Sequence, residues 1–593
     1  MHARPPRQRV AVAAALSLLA ITCTDSPTRT TAPDAAPTLA RSAAPAPLAG
    51  GGATTAVTVQ VPASMRSAPF NVTRTLNVPS GYGVRVYARI AGARFMAAAP
   101  NGDLLVSNPG AGKVYLVRPD ANGDGVITDW VTGLHNPHDI VFHTLGGVTY
   151  VYVAESDKIG RYVYNANGTP GARQTLISGL PDNTSGALKG AYGHQLKNIA
   201  LDGNKLYVSV ASPSNADPAD LARTPKGAAI YLYDATGGGQ RLFAQGLRNA
   251  EGLAIAPGTS TLWVAVNNRD NIAYPYHQDF DGNGSDDYGK VMQAYVDNHP
   301  PEELTSVRDG GNYGWPLCNP NPDTPNGMDD MPFDRDVQNN PNGTALDCST
   351  ADRIAKGIQA HSAPLGLTFW VGANVPSAYA GGVLVGLHGS WNRSVPTGYK
   401  IAYFPWSGGR PGAQVDLVTG WLTGGTWGRP VDLAVAPDGG LYISDDYSGT
   451  IYRLVPNAPP PPPPGGAGTL VPGAGYGCLS TYGGQRTTHT SVSVVTCATG
   501  AAGQTWTPPA SGTTGLVSAF GGAICLSAYG TASGAAVGTD PCNAAAASQQ
   551  WTRSATDELK TSAGLCATAL RAGNAAVALK PCTGATSQRW TPG

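Results

Sequence analysis

Gly246-Leu-Arg-Asn-Ala-Glu-Gly-Leu-Ala-Ile-Ala-Pro257 sets a cation and an amide, Arg248 and Asn249, directly before an alternating apolar run that reads as a strand. A cation at the lip of a strand can face an anionic ligand from a rigid support. Taken alone, such an arginine is better read as the partner of a nearby carboxylate. Its weight comes from repetition. Leu253-Ala-Ile-Ala-Pro-Gly-Thr-Ser-Thr-Leu-Trp-Val264 is one copy of a phrase. The phrase returns as Met96-Ala-Ala-Ala-Pro-Asn-Gly-Asp-Leu-Leu-Val-Ser107, Ile199-Ala-Leu-Asp-Gly-Asn-Lys-Leu-Tyr-Val-Ser209 and Leu433-Ala-Val-Ala-Pro-Asp-Gly-Gly-Leu-Tyr-Ile-Ser444. Further units start near Ile140 and Leu365. Each is strand, Gly/Asp turn, strand, often with a third strand such as Lys113-Val-Tyr-Leu-Val117. One small sheet cannot bury both of its faces. Six packed radially can, so the pattern predicts a six-bladed β-propeller, with the unit at Met96 closing the ring against the last one.

Composition agrees with an all-β chain. Charged residues are 13% of the 593, while the 76 glycines and 49 prolines punctuate runs rich in Val, Tyr, Thr and Ile. The length calls for more than one domain. A formal net charge of zero argues against a nucleic-acid partner held by a global positive field.

Arg4, Arg7 and Arg9 precede an apolar run from Val10 to Ile21 and then Cys23, the pattern of a signal peptide over residues 1–23. Leu19-Ala20-Ile21-Thr22-Cys23 resembles a lipobox with an ill-fitting Thr22, so lipidation of Cys23 and ordinary cleavage with release stand as equal expectations. Either way the protein is expected to be exported. Residues 24–66, rich in Ala, Pro, Thr and Ser, read as a disordered tether. Six consecutive prolines, Pro459 to Pro464, make 457–466 a stiff spacer. They divide a large domain, 67–456, from a small one, 467–593.

Eight cysteines remain beyond Cys23, an even number in an exported chain. Spacing pairs Cys318 with Cys348, then Cys478 with Cys497, Cys525 with Cys542 and Cys566 with Cys582. The last three pairs each precede a Gln-x-Trp, at Gln504-Thr-Trp506, Gln549-Gln-Trp551 and Gln588-Arg-Trp590. Three tryptophans about a pseudo-threefold axis make a β-trefoil core, which resembles the ricin B-type lectin fold. A glycan ligand is therefore expected for it. The Asp that commonly follows the first Cys by two positions in sugar-binding members is replaced here by Ser480, Ser527 and Thr568, which leaves that role open.

Several motifs of the large domain then fall into order: Gly193-His194-Gln195, Arg248-Asn249, Gly310-Gly-Asn-Tyr-Gly-Trp-Pro316, His388-Gly-Ser-Trp-Asn-Arg393 and Gly428-Arg429-Pro-Val-Asp432. Together they resemble the soluble pyrroloquinoline-quinone-dependent glucose/sorbosone (pyranose) dehydrogenase family over about residues 70–456. The resemblance implies a sugar substrate, a quinone cofactor with three carboxylates held by arginine forks, and Ca²⁺ to polarise the quinone carbonyl. It implies His194 as the base that takes the sugar's hydroxyl proton. Arg248, Asn249 and Arg429 would contact the cofactor, with Arg393 standing in for the family's lysine. Carbonyls at Asn267 and Asn268 would ligate Ca²⁺. Val431 stands where the glucose enzymes carry a second arginine, so the pyranose-type branch is nearer. The electron acceptor would be dye-like or a cytochrome, since no Cys-x-x-Cys-His builds in a haem.

Two acidic loops resemble the first half of an EF-hand. Asp120, Asn122, Asp124 and Asp129 form the favoured one; Asp279, Asp281 and Asn283 form a weaker one. The competing readings of the whole chain are a non-enzymatic carbohydrate-binding protein working through its trefoil, and a propeller lactonase.

Overall fold

A computed structural model describes residues 53–593 except 100, 121, 373–374, 377, 437, 457–467, 473–475, 482–487, 499–500, 572–574 and 593. The signal peptide, Cys23, most of the expected tether and the polyproline spacer lie outside the described residues. Thr54–Thr58, inside the stretch expected as tether, instead forms a strand antiparallel to Thr75–Pro79.

Six antiparallel sheets carry the repeat units, and their first strands are Met96–Ala98, Ile140–Leu145, Ile199–Asp202, Asn249–Ile255, Pro364–Phe369 and Pro430–Val435. These six strands touch in sequence around a ring, the last against the first. Neighbouring sheets share an apolar cluster at each of the six junctions, which is where the second face of each small sheet is buried. Approach between neighbouring sheets is close enough to demand glycine. A Cβ at Gly252 would meet the Leu365 carbonyl oxygen at 2.5 Å, and one at Gly386 would meet the Val431 carbonyl oxygen at 2.3 Å.

The unit at Met96 closes the ring against the last sheet, as expected, and the strand Tyr82–Arg89, hydrogen-bonded antiparallel to Thr450–Pro456, completes that final four-stranded sheet. The strand's alternating burial reflects that position: Val84 and Val86 face the cluster holding Leu441, Ile443 and Tyr452.

In the small domain Trp506, Trp551 and Trp590 are fully buried in one cluster. Their indole N–H groups donate to Leu479, Leu526 and Ala567 at 2.9 Å each, always the residue after the repeat's first cysteine. Gln504, Gln549 and Gln588 accept from the backbone N–H just after the second cysteine, at 2.8, 2.6 and 2.8 Å. The three repeats are thus equivalent bond for bond. All four disulfides expected from spacing are formed.

Candidate functional site

His194, Arg248 and Arg429 stand just before first strands, the His388–Arg393 loop follows the second strand Val383–Leu387, and hydrogen bonds link these loops. Arg248 is buried. Its Nε donates to the Asn215 carbonyl at 3.0 Å, its Nη2 to Asn215 Oδ1 at 3.0 Å, and its Nη1 to the Asn268 carbonyl at 2.7 Å. Asp270 lies 3.6 Å from Nη2. Asn249 is register partner to Asn267, and its Nδ2 donates to Glu251 at 3.3 Å. Asn392 Nδ2 donates to Asp270 Oδ1 at 3.1 Å, which brings the His388–Arg393 loop to the same carboxylate as Arg248.

His194 is half-buried, and its Nδ1 sits 2.7 Å from the Ser212 carbonyl. A carbonyl only accepts, so Nδ1 carries the proton and Nε2 keeps its lone pair. Burial, with the nearby Arg248 charge, pulls the imidazole down to about 4. The neutral ring is therefore the form present near neutrality.

Arg429 donates to two neutral oxygens, the carbonyls of His388 at 3.0 Å and Gly389 at 2.6 Å. Its guanidinium also lies 5.4 Å from the centre of the Tyr399 ring. Arg393 donates to the carbonyls of Val395 at 3.1 Å and Ala360 at 3.4 Å. Neither has a carboxylate in ion-pair reach among the described residues. Two guanidinium charges at this end of the ring are thus held in place by carbonyl dipoles without being neutralised, which is the condition for receiving an anion.

Beneath these groups lies a network that sequence reading missed. His138, with no exposed surface, bonds Glu251 at 2.9 Å, joining two sheets that are not neighbours in the ring and closing the axis at that level. Burial would raise Glu251, but His138 and Arg94 outweigh it and hold the carboxyl down at about 2. Arg94 pairs with Asp446 at 2.7 Å, and His388 Nε2 bonds the same carboxylate at 2.8 Å. Asp432 accepts from the Met96 N–H at 2.8 Å and Asp139 from the Ile199 N–H at 2.8 Å, stitching adjacent first strands together. Burial pushes Asp139 up to about 7 and Asp432 up to about 8. It pulls the fully buried Lys197 down to about 7. His138 and Asp139 stand, both buried, just before the first strand Ile140–Leu145.

The expected calcium ligands fare unevenly. The carbonyls of Asn267 and Asn268 face Arg248, at 3.5 and 2.7 Å from Nη1. Acid is abundant behind them. Asn268 bonds both Glu302 and Glu303; burial raises Glu302 to about 8, and one Glu303 oxygen is buried without a partner. In the first acidic loop Asp120 accepts from its own turn, at 2.8 Å from Asn122 N and 2.9 Å from Asp124 N. Asp124 pairs with Arg85, and Asp129 pairs with Lys113 at 2.9 Å. Its oxygens are spent on an Asx turn and two cations, so Asp120, Asn122, Asp124 and Asp129 do not gather as an ion cage. In the second loop Asp279 and Asp281 converge with Asp287, and the Asn283 N–H donates to both Asp279 at 3.0 Å and Asp281 at 3.1 Å. Asp287 is already paired with Lys290 at 2.8 Å.

In the trefoil, the positions lacking the sugar-binding carboxylate are used internally. Ser527 and Thr568 hydroxyls accept from Gln549 and Gln588 at 3.1 and 3.0 Å. Two hollows flank the His194 side of the propeller mouth. One, of about 420 Å³, is lined by Leu188, Tyr192, Pro213 and Arg223; the other, of about 440 Å³, by Asn215, Arg269 and Asn339. Neither is lined by His194 itself, so the bonds above, not the hollows, define the site.

Comparison with known proteins matches residues 76–457 to the TrAA12-like family and residues 466–590 to the ricin-type beta-trefoil lectin domain. An uncharacterized protein of Borreliella burgdorferi is 24% identical over 423 residues, 67% of this chain and 95% of its own. A pyrroloquinoline quinone-dependent pyranose dehydrogenase of Coprinopsis cinerea is 37% identical over 113 residues, only 16% of this chain and 15% of the enzyme. The holo PQQ domain of pyranose dehydrogenase from Coprinopsis cinerea superposes with a TM-score of 0.52 at 23% identity, covering 64% of this chain and 97% of that one, a likeness of fold.

Proposed function

The chain belongs to the TrAA12-like family, with a ricin-type lectin domain after it, and from that premise we propose that it is an exported quinoprotein dehydrogenase acting on a sugar or related polyol. The observation that carries this reading is the pair Arg393 and Arg429, oriented by carbonyls and without an ion pair among the described residues, on or against the His388–Arg393 loop that reaches Asp270 beside Arg248. A tricarboxylate quinone suits such a cradle, and once bound it supplies the two-electron acceptor. Four disulfides support export.

The protein's own part in the reaction is then threefold. Arg393 and Arg429 supply charge and planar donors for carboxylates, so the cofactor is seated in one orientation. Burial, and after it the charge of Arg248 locked on Asn215 and Asn268, keeps the His194 imidazole neutral. His194 Nε2 takes the hydroxyl proton of the sugar as hydride leaves carbon, while Nδ1–H stays anchored on Ser212. A pyranose, the substrate class of the Coprinopsis enzyme, is the substrate class proposed for this chain.

Calcium fits this arrangement less well. Asn267 and Asn268 offer hard oxygens with Asp270 nearby, but Arg248 already donates to both carbonyls. A divalent ion would require that guanidinium to turn away. For the trefoil we propose glycan binding through groups other than the internally bonded Ser480, Ser527 and Thr568. The test of the enzyme reading is reduction of a dye by the full chain, loaded with quinone, over a panel of aldoses; a panel without turnover rejects it.

A further inference from the structure

Among the described residues Trp391 is the only exposed tryptophan, with 71% of its surface open. It does not hang on a loose loop. Ser390 N–H donates to the Thr397 carbonyl at 2.9 Å and Thr397 N–H returns to Ser390 Oγ at 2.9 Å. Tyr399 OH holds the Ser390 carbonyl at 2.8 Å. On the other side Asn392 is fixed by Asp270 at 3.1 Å and by Gln293, which donates to its carbonyl at 2.9 Å. A large flat ring is thus presented to water from a pinned backbone, next to the residues that form the candidate site. The same loop exposes Val395 at 69%. Tyr447, 60% exposed, follows Asp446 on the loop tied to this one by the His388–Asp446 bond.

A folded chain seldom leaves a tryptophan so bare on a rigid support, and such an apolar surface rimmed by polar groups marks a binding surface. The axial C–H groups of a pyranose make an apolar face that stacks on a flat aromatic ring, while its equatorial hydroxyls stay in water or reach polar neighbours. We propose that Trp391, on the loop tied to that of Tyr447, is a stacking platform for a second sugar ring, so that the substrate is the end of a longer saccharide and not a free monosaccharide. The inference rests on the reading of this mouth as a sugar-oxidising site. A lectin-type domain on the same chain points the same way, since such a domain serves a glycan that the enzyme must stay beside.

The test uses the full chain and the variants Trp391→Ala and Trp391→Phe. Cofactor-free protein is titrated with cellotriose, maltotriose and xylotriose while iodide quenching of tryptophan fluorescence is followed. Because the other tryptophans are buried save the half-buried Trp406, the part of the quenching lost in Trp391→Ala reports Trp391. At least one trisaccharide should shield it, and Trp391→Ala should abolish the effect. In the quinone-loaded enzyme Trp391→Ala should raise KM for that trisaccharide about tenfold, leave kcat and the monosaccharide KM within about twofold, and be rescued by Phe. Equal changes for mono- and trisaccharide, no shielding by any trisaccharide, or a loss of quinone affinity in Trp391→Ala would each overturn the proposal. Should the chain oxidise no sugar, the dehydrogenase reading fails, and the shielding measurement still decides Trp391.

Discussion

His194 Nδ1 and the carbonyl oxygen of Ser212 lie 2.7 Å apart, and this single bond decides which imidazole nitrogen can act as a base. With the proton fixed on Nδ1, Nε2 is the nitrogen left to accept one. The bond also anchors the ring to the strand end that follows Val210.

His194→Asn should lower kcat about 10²–10⁴-fold while quinone uptake is retained. Nuclear magnetic resonance of the cofactor-free chain should show the His194 ring titrating near 4, below its ordinary value, because burial and then Arg248 disfavour the charged form. Titration near 6.5, or full activity in the Asn variant, would remove His194 from the base role.

Asp432 carries a stability signature with a definite sign. Burial, with Asp139 adding, raises its folded-state value to about 8, whereas a carboxyl in the unfolded chain titrates near 4. The folded state holds more protons between these limits. The stabilisation is complete below about pH 4 and drains away as the pH rises through 8. Asp432→Asn should therefore gain on the native protein with rising pH, by roughly 1 kcal/mol or more between pH 5 and 9, seen as a melting-temperature difference that widens by about 2–4 °C. A difference that stays constant with pH would refute the assignment.

Much of the fold was legible because it repeats. Six copies of one phrase and three of Cys…Cys…Gln-x-Trp carry their own alignment, and the indole bonds of Trp506, Trp551 and Trp590 follow that alignment residue for residue. What stayed hidden depends on residues far apart in the chain. Tyr82–Arg89 finds its partner at Thr450–Pro456, and His138 meets Glu251 across 113 positions, so neither is visible in any local pattern. The surroundings of the acidic loop at Asp120 were hidden for the same reason. Its spacing is cation-like, but Arg85 and Lys113 arrive from other strands to take its charge.

Trp551→Ala should cost the trefoil about 3–5 kcal/mol, since it opens a cavity and strands the Leu526 carbonyl. Calorimetry should place this loss in the transition assigned to the small domain. An unchanged thermogram would mean the tryptophan triad is not its core.

The account stands or falls on the unneutralised arginines. The direct measurement is titration of the cofactor-free full chain with pyrroloquinoline quinone by calorimetry, repeated with Arg393→Ala and Arg429→Ala. One equivalent should bind, and each substitution should weaken binding about 10–100-fold, the worth of one charge-assisted contact. No uptake, or uptake indifferent to both substitutions, would contradict it.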